Sequence, residues 1–438
     1  MNKEYPLYIG NTAVKTQDKK EITCPHDNIP VGTVYIANET HIQQAIKKAI
    51  KCFEITRNMP AYERSEILFL IAKDIENASE SLAETLALEC GKNITFAHGE
   101  VQRAIQTFTL AAEEAKRIDG EFFGLDSVPK GAHAHAFVKR FPIGPILGIT
   151  PFNFPLNLVA HKVAPALAVG NPIIIKPSSL APISSLNLAE IIIHYVPDGM
   201  LSVLPCSGPS IMYAVRSEEI KMISFTGSPP VGWKLKDQCR KKRICLELGG
   251  NSGLIIDKDA DLADALEKSI IGGFAYAGQV CIHTQRIFIH DSIFEEFKKK
   301  FVEKTKNIKL GHPLDEEAFL NCMISEQEAI RAENWINEAV EQGAEILCGG
   351  KREGTKLEAT ILTETSPNMK VEKNEVFAPV VTLTPFKDFK RAVEMVNNSV
   401  YGLQAGVFTN NLKHIKYAFK ELQVGGVIIN NTPTFRVD

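Results

Sequence analysis

Cys281 stands behind Ala277-Gly278-Gln279 and ahead of the apolar run Arg286-Ile-Phe-Ile-His290. A thiol on such a turn is open to a ligand, and as a thiolate it is a nucleophile. A buried, inert cysteine is the alternative for the same segment. Glu247 follows Ile244-Cys-Leu246 and precedes Gly249-Gly250. A carboxylate there is expected to be partly desolvated and so moved towards the working range of a general base. An edge carboxylate bonded to backbone amides is the plainer option. Asn153 sits between two aromatics and two prolines in Pro151-Phe-Asn-Phe-Pro155. Its amide could face a developing oxyanion, or it is simply a turn asparagine. Lys176 ends Ile173-Ile-Ile and could donate to a ribose or phosphate, where the plain alternative is a surface lysine. Gly227-Ser228-Pro229 opens a helix: Gly lets the backbone approach, Ser can cap, and Pro wastes no donor. A tight strand-to-helix turn accounts for it equally well.

The elements that must hold these residues alternate. Short apolar β-branched runs at 146–150, 173–176, 201–204, 222–225, 243–248 and 253–256 are separated by helical patterns at 156–169, 182–196, 209–215 and 229–239. That is the pattern of a parallel sheet covered on both faces, whose ligands bind at the carboxyl ends of the strands. Beyond about residue 257 the alternation repeats. Helices are expected near 259–275, 291–307, 325–342, 387–397 and 411–421, with strands near 286–290, 378–384, 404–409 and 425–429. Two α/β domains follow. Upstream, Thr40 is read as the cap of a helix over His41–Ile55, and two more helices are expected near 61–90 and 97–118. Residues 120–144 alternate around Gly124 and Gly131 and read as a β-hairpin. His133 and His135 share one strand face there, but no third metal ligand is visible, and no metal is expected.

Bulk properties exclude several classes. The 438 residues are 45% hydrophobic and 23% charged, the balance of a globular protein of at least two packed units. A net charge of −3 gives no reason to expect nucleic acid or an anionic membrane as partner. Nine scattered cysteines without a CxxC pair form neither a disulfide framework nor a zinc site. With no membrane-length apolar run and no apolar leader, the expected compartment is the cytoplasm.

In this order the pieces resemble the aldehyde dehydrogenase superfamily. The matching landmarks are Pro151-Phe-Asn153-Phe-Pro155, Lys162, Pro165-Ala-Leu-Ala-Val-Gly170-Asn171, Lys176-Pro-Ser178, Phe225-Thr-Gly227-Ser228, Leu246-Glu247-Leu-Gly249-Gly250, Gly278-Gln279-Val-Cys281, Glu375-Val-Phe377-Ala-Pro379 and Tyr401-Gly402-Leu403. The likeness runs along the whole chain. It is greatest to the branch holding lactaldehyde dehydrogenases and non-phosphorylating glyceraldehyde-3-phosphate dehydrogenases.

The resemblance implies two Rossmann-like doubly wound domains and a protruding β-hairpin. A cofactor domain would span 1–120 and 144–247, an oligomerisation hairpin 121–143, and a catalytic domain 248–431. Residues 432–438 would begin a C-terminal segment that is missing from this sequence. Cys281 would be the nucleophile, Asn153 the oxyanion donor with the Cys281 backbone N–H, Glu247 the deacylating base, and Lys162 a further catalytic residue. NAD or NADP would be held by Ile149, Thr150, Pro151, Phe152, Lys176, Ser178, Ser179, Phe225, Gly227, Ser228, Gly232, Leu248, Gly249, Glu375 and Phe377. Many NAD-specific relatives carry a glutamate where this chain has Ser179, so NADP is admissible. Arg103, His283 and Arg436 are the candidate substrate residues, because guanidinium groups suit an anionic aldehyde. His283 either lines the pocket or packs.

The implied reaction is NAD(P)-dependent oxidation of a small hydroxylated or anionic aldehyde by a homo-oligomer, a dimer or tetramer. A CoA-acylating relative is the first alternative, and Glu247 argues against it. A truncated nucleotide-binding protein without turnover is the second. A cofactor-free cysteine hydrolase is a distant third.

Overall fold

The computed structural model describes residues 3–435. It divides into two units: Met1–Thr23, Pro30–Glu89 and Ala97–Glu247 form the first, and Cys24–Ile29, Cys90–Phe96 and Leu248–Asp438 the second.

The first unit is built on a seven-stranded sheet. Its parallel strands lie side by side in the order Arg243–Glu247, Met222–Thr226, Ile146–Ile149, Ile173–Lys176, Leu201–Val203. Leu7–Ile9 and Thr12–Val14 complete the edge in antiparallel sense. The central strands are buried throughout because helices cover both faces: Leu147, Ile174, Ile175 and Val203 have no exposed surface. In chain order the strands run outward from Ile146–Ile149 in one direction and then, from Met222, in the other. The order therefore reverses between the Ile146 and Met222 strands, where a doubly wound sheet leaves a crevice at its carboxyl edge. A separate three-stranded sheet joins Glu4–Tyr5, Pro30–Tyr35 and Lys19–Thr23.

Helix ends depart from the sequence pattern in two places. The first helix runs Glu39–Thr56 and is capped by Asn38, not Thr40. Asn38 Oδ1 accepts from the His41 N–H while His41 Nδ1 accepts from the Asn38 N–H, a reciprocal capping box. The expected 61–90 helix is two helices, Ala61–Asn77 and Ser79–Cys90. Ala78 leaves helical geometry between Asn77 and Ser79, residue types whose side chains compete with the helical ladder. The hairpin pairs Glu121–Gly124 with His135–Val138. Phe122, Phe137 and Phe141 on it are exposed, and His135 stacks on Phe122.

The second unit also has a seven-stranded sheet, ordered Glu345–Cys348, Thr360–Thr363, Val380–Phe386, Arg286–His290, Gly253–Ile256, Gln404–Phe408, Gly426–Ile429. All pairings but the first are parallel. Leu254, Phe274, Ile287, Phe297, Phe301 and Val381 lie in its core. The strands at 345–348 and 360–363 are absent from the sequence reading. They are short, and Gly349-Gly350 follows the first, so the apolar signal is broken.

The capping geometry makes a prediction. Asn38→Ala should cost about 1 kcal/mol of stability in urea denaturation. Thr40→Ala, at an exposed position, should stay within about 0.5 kcal/mol. The reverse ranking would return the cap to Thr40.

Candidate active site

At the carboxyl end of the central strand of the first unit, Thr150 and Asn153 are buried. Thr150 Oγ1 has no hydrogen-bond partner among the described residues. The loop leading from them enters the helix Asn157–Ala168, whose N-terminus has no side-chain cap of its own. Glu100 supplies one from the helix Ile94–Ala115: its Oε1 accepts from the N–H groups of Leu156 (2.9 Å) and Asn157 (3.0 Å). Ser185 Oγ donates to the Pro155 carbonyl (3.0 Å) and holds the same loop from another side. The loop carrying Asn153 is thus fixed by buried polar groups that no local sequence pattern advertises.

Lys162, on that helix, is 7% exposed. Its Nζ donates to Ser224 Oγ (3.0 Å) and Thr226 Oγ1 (2.9 Å) on the next strand. Burial lowers its pKa to about 8, against the opposing pull of Cys245 and Glu247. Glu247 ends the outermost parallel strand and is exposed. This corrects the expected desolvation. Arg243, Cys245 and Glu247 alternate with Ile244 and Leu246, so they share one face of this edge strand, and all three are exposed.

The other candidate cofactor residues of this unit line the same sheet edge. Ile149 and Phe225 are buried, Pro151 and Phe152 half-buried. Lys176 is 9% exposed, and its Nζ donates to the Pro177 carbonyl (2.9 Å). Ser178 Oγ accepts from the Leu180 N–H (3.2 Å), and the Ser179 carbonyl accepts from Lys20 Nζ (2.6 Å). Gly227 donates its N–H to the Glu247 carbonyl (3.0 Å). Ser228 occupies the N-cap of Pro229–Gln238 but makes no side-chain cap bond, so its expected capping role is not realised. Gly232 is buried one turn on. Arg103, half-buried on Ile94–Ala115, lies close enough to His161 to help hold its imidazole neutral, although burial is the larger cause.

In the second unit Cys281 lies in a turn closed by the His283 N–H donating to the Val280 carbonyl (2.9 Å). Its exposure is intermediate; seven other cysteines are buried, and Cys245 is exposed. Three consecutive residues with positive φ precede it: Tyr276 (50°), Ala277 (51°) and Gly278 (66°). Gly278 is required, because a Cβ there would lie 2.1 Å from the Ala378 carbonyl oxygen. Gln279 is buried and accepts the Ile324 N–H (2.9 Å), tying the turn down. His283 is 3% exposed, with Nε2 on the Gly273 carbonyl (2.8 Å). Burial lowers its pKa to about 4. The structure therefore gives it the packing arrangement.

Glu375 Oε1 accepts the Gly250 N–H (2.9 Å), and burial raises its pKa to about 7. Leu248 and Gly249 are half-buried beside it, and a Cβ on Gly249 would collide with its carboxylate at 2.1 Å. Phe377 adopts φ 50°. Arg436 lies outside the described residues. Cys24, Asp27 and His312 bring donor atoms within 4.8 Å of one another. His312 Nδ1 accepts the Leu314 N–H, so its Nε2 carries the proton towards Asp27. That is a hydrogen-bonded relay with no free imidazole lone pair for an ion.

The chain is similar to known proteins along its length. The description "Aldehyde dehydrogenase family" matches residues 13–438. The 3-sulfolactaldehyde dehydrogenase of Priestia megaterium is 40% identical over 438 residues, 100% of this chain and 91% of that protein. Aldehyde dehydrogenase 21 from Physcomitrella patens, in complex with the reaction product succinate, superposes with a TM-score of 0.98 at 41% identity, covering 100% of this chain and 92% of that one. Glyceraldehyde-3-phosphate dehydrogenase GapN from Methanocaldococcus jannaschii, complexed with NADP, gives 0.92 at 37%, covering 96% and 92%. The chain belongs to the aldehyde dehydrogenase family. It is an NAD(P)-dependent oxidoreductase that acts on aldehydes.

The buried lysine gives a pH prediction. Lys162 has a folded pKa of about 8 against an ordinary 10.5. Below pH 8 both states hold the proton and burial of the charge costs stability. Between about pH 8 and 10.5 the unfolded state binds more protons, so stability should rise with pH. Denaturation midpoints of the wild type and Lys162→Met across this range should diverge; parallel profiles would refute the shift.

Proposed function

We propose that this chain oxidises a small hydroxylated or anionic aldehyde to its carboxylic acid through a covalent adduct on Cys281. The observation that carries the reading is Cys281 itself, accessible on a turn held in left-handed geometry while most other thiols are buried. Its thiolate adds to the aldehyde carbon. The Asn153 amide and the Cys281 N–H receive the oxyanion. The carbon then gives up a hydride, leaving a thioester. Glu247 takes a proton from water, whose oxygen attacks the thioester carbon; the C–S bond breaks, and the acid and the thiolate are released.

The nicotinamide nucleotide supplies the hydride acceptor. Residues at the switch point suit its binding. Thr150 has an unpartnered buried hydroxyl, and Lys176 Nζ has protons beyond the one it gives to Pro177. Ile149, Pro151, Phe152, Phe225, Gly227, Ser228, Gly232, Leu248, Gly249, Glu375 and Phe377 are the further residues that would hold it.

The anionic preference is supported by the half-buried Arg103 and by the similar proteins, named for sulfolactaldehyde and glyceraldehyde 3-phosphate or bound to succinate. The exposed Phe122, Phe137 and Phe141 of the hairpin favour assembly of the chain with copies of itself, which sedimentation velocity reads directly. No helix among the described residues is long and apolar enough to cross a membrane. Nine free thiols suit a reducing compartment, the cytoplasm; fractionation of cells expressing the chain would show it.

Steady-state assays test the reading. Cys281→Ser should abolish nucleotide reduction. Arg103→Ala should raise KM for 3-sulfolactaldehyde or succinic semialdehyde about 10-fold or more, with little effect on propanal. Substantial activity in the serine variant would remove Cys281 from the reaction. Equal losses on charged and neutral aldehydes would remove Arg103 from substrate binding. An absolute requirement for CoA would replace hydrolysis by acyl transfer.

A further inference from the structure

In the strand Lys19–Thr23 successive side chains point to opposite faces. Lys19 turns to Glu4 (2.8 Å). Lys20 turns the other way, and its Nζ donates to the Ser179 carbonyl (2.6 Å), just past the carboxyl end of the Ile173–Lys176 strand. Lys176 lies near enough that the Lys20 charge contributes to lowering its pKa, behind burial as the larger cause. Burial also lowers the pKa of Lys20. Its side chain is exposed yet partly desolvated.

Among the described residues neither lysine forms an ion pair with a carboxylate, whereas Lys15, Lys19 and Lys48 of the same unit each do. Two ammonium groups held together without a counter-charge raise each other's energy, and a bound anion removes that cost. The hydroxyls of Ser178 and Ser179 lie at the same strand end, and no acidic side chain stands at 177–179 to repel an anion.

We propose that Lys20 is a cofactor-specificity residue: with Lys176 and the hydroxyls of Ser178 and Ser179 it forms the seat of the 2′-phosphate of NADP. The assignment rests on the nucleotide-binding reading of the first unit. That unit brings Lys20 to the seat from a different sheet, about 150 residues away in sequence. The seat makes NADP the preferred cofactor and leaves NAD a weaker one, because NAD offers only ribose hydroxyls to two unneutralised cations.

The test is calorimetric binding of NADP and NAD to the full chain, with kcat/KM for each where turnover is measurable. Wild type should bind NADP more tightly than NAD, with an advantage that shrinks as salt is raised. Lys20→Ala should weaken NADP about 10- to 100-fold while changing NAD less than about 3-fold. Lys20→Arg should restore most of the difference, and Ser179→Glu should invert the preference. A Lys20→Ala variant that loses both nucleotides equally would reduce Lys20 to a prop for the Ser179 loop. A wild type with no NADP advantage, or an unchanged preference in Lys20→Ala, would overturn the seat while leaving the dehydrogenase reading intact. Failure to bind either nucleotide would overturn both.

Discussion

The geometry of the candidate nucleophile depends on a backbone that L-residues avoid. Tyr276 and Ala277 hold left-handed φ values immediately before Gly278, a conformation costing of order 1–3 kcal/mol for each non-glycine residue. The surroundings over-determine it. The Tyr276 hydroxyl donates to the Cys90 carbonyl, and Lys92 lies over its ring at 4.6 Å. Gln279 is clamped by Ile324 on one side, and Gly278 lies flat against Ala378 on the other. Residues 90–96 therefore serve the second unit as a brace for the turn rather than as part of the helical layer they adjoin in sequence. Strain held by buried contacts fixes the backbone of the turn that presents the thiol, and a fixed approach is what attack on a small carbonyl demands.

The first unit solves a different problem, that of concentrating donors at one sheet edge. Its strand order reverses beside Ile146–Ile149, so Thr150, Lys176 and Gly227 end up at neighbouring strand termini although 77 residues separate the first from the last. Buried carboxylates then do the work of caps. Glu100 takes the first free N–H groups of the Asn157 helix, and Glu89 those of Ile183 and Ser184 at the next (2.7 Å each). Packing Glu89 away from water raises its pKa to about 7. A helix N-terminus stabilises negative charge, which is why these carboxylates are tolerated in the interior.

Much of this was legible beforehand, and the exceptions have causes. The strand-helix alternation from 145 to 290 was readable because buried parallel strands are short continuous apolar runs. The strand at 360–363 was not, because Thr-Ile-Leu-Thr carries too little pattern and its partner ends at two glycines. Asn153, Lys176, Glu247 and Cys281 were visible as residue types beside glycine and proline. Glu100, Ser185 and Lys20 were not, since each acts on residues 30 to 159 positions away and looks like an ordinary helix or strand residue. The exposure of Glu247 is hidden from the sequence for a related reason: apolar neighbours along a strand say nothing about whether the strand lies at an edge. His283, two positions from the nucleophile, shows that nearness in sequence does not place a side chain in a site.

The most direct measurement is the mass of the covalent intermediate. Glu247→Gln protein would be mixed with succinic semialdehyde and an oxidised nicotinamide nucleotide, quenched in acid, digested and analysed by mass spectrometry. The account predicts an acyl group, two hydrogens lighter than the aldehyde adduct, on the peptide containing Cys281, and only when the nucleotide is present. An acyl group on Cys245 instead, or none on any cysteine while reduced nucleotide accumulates, would contradict it.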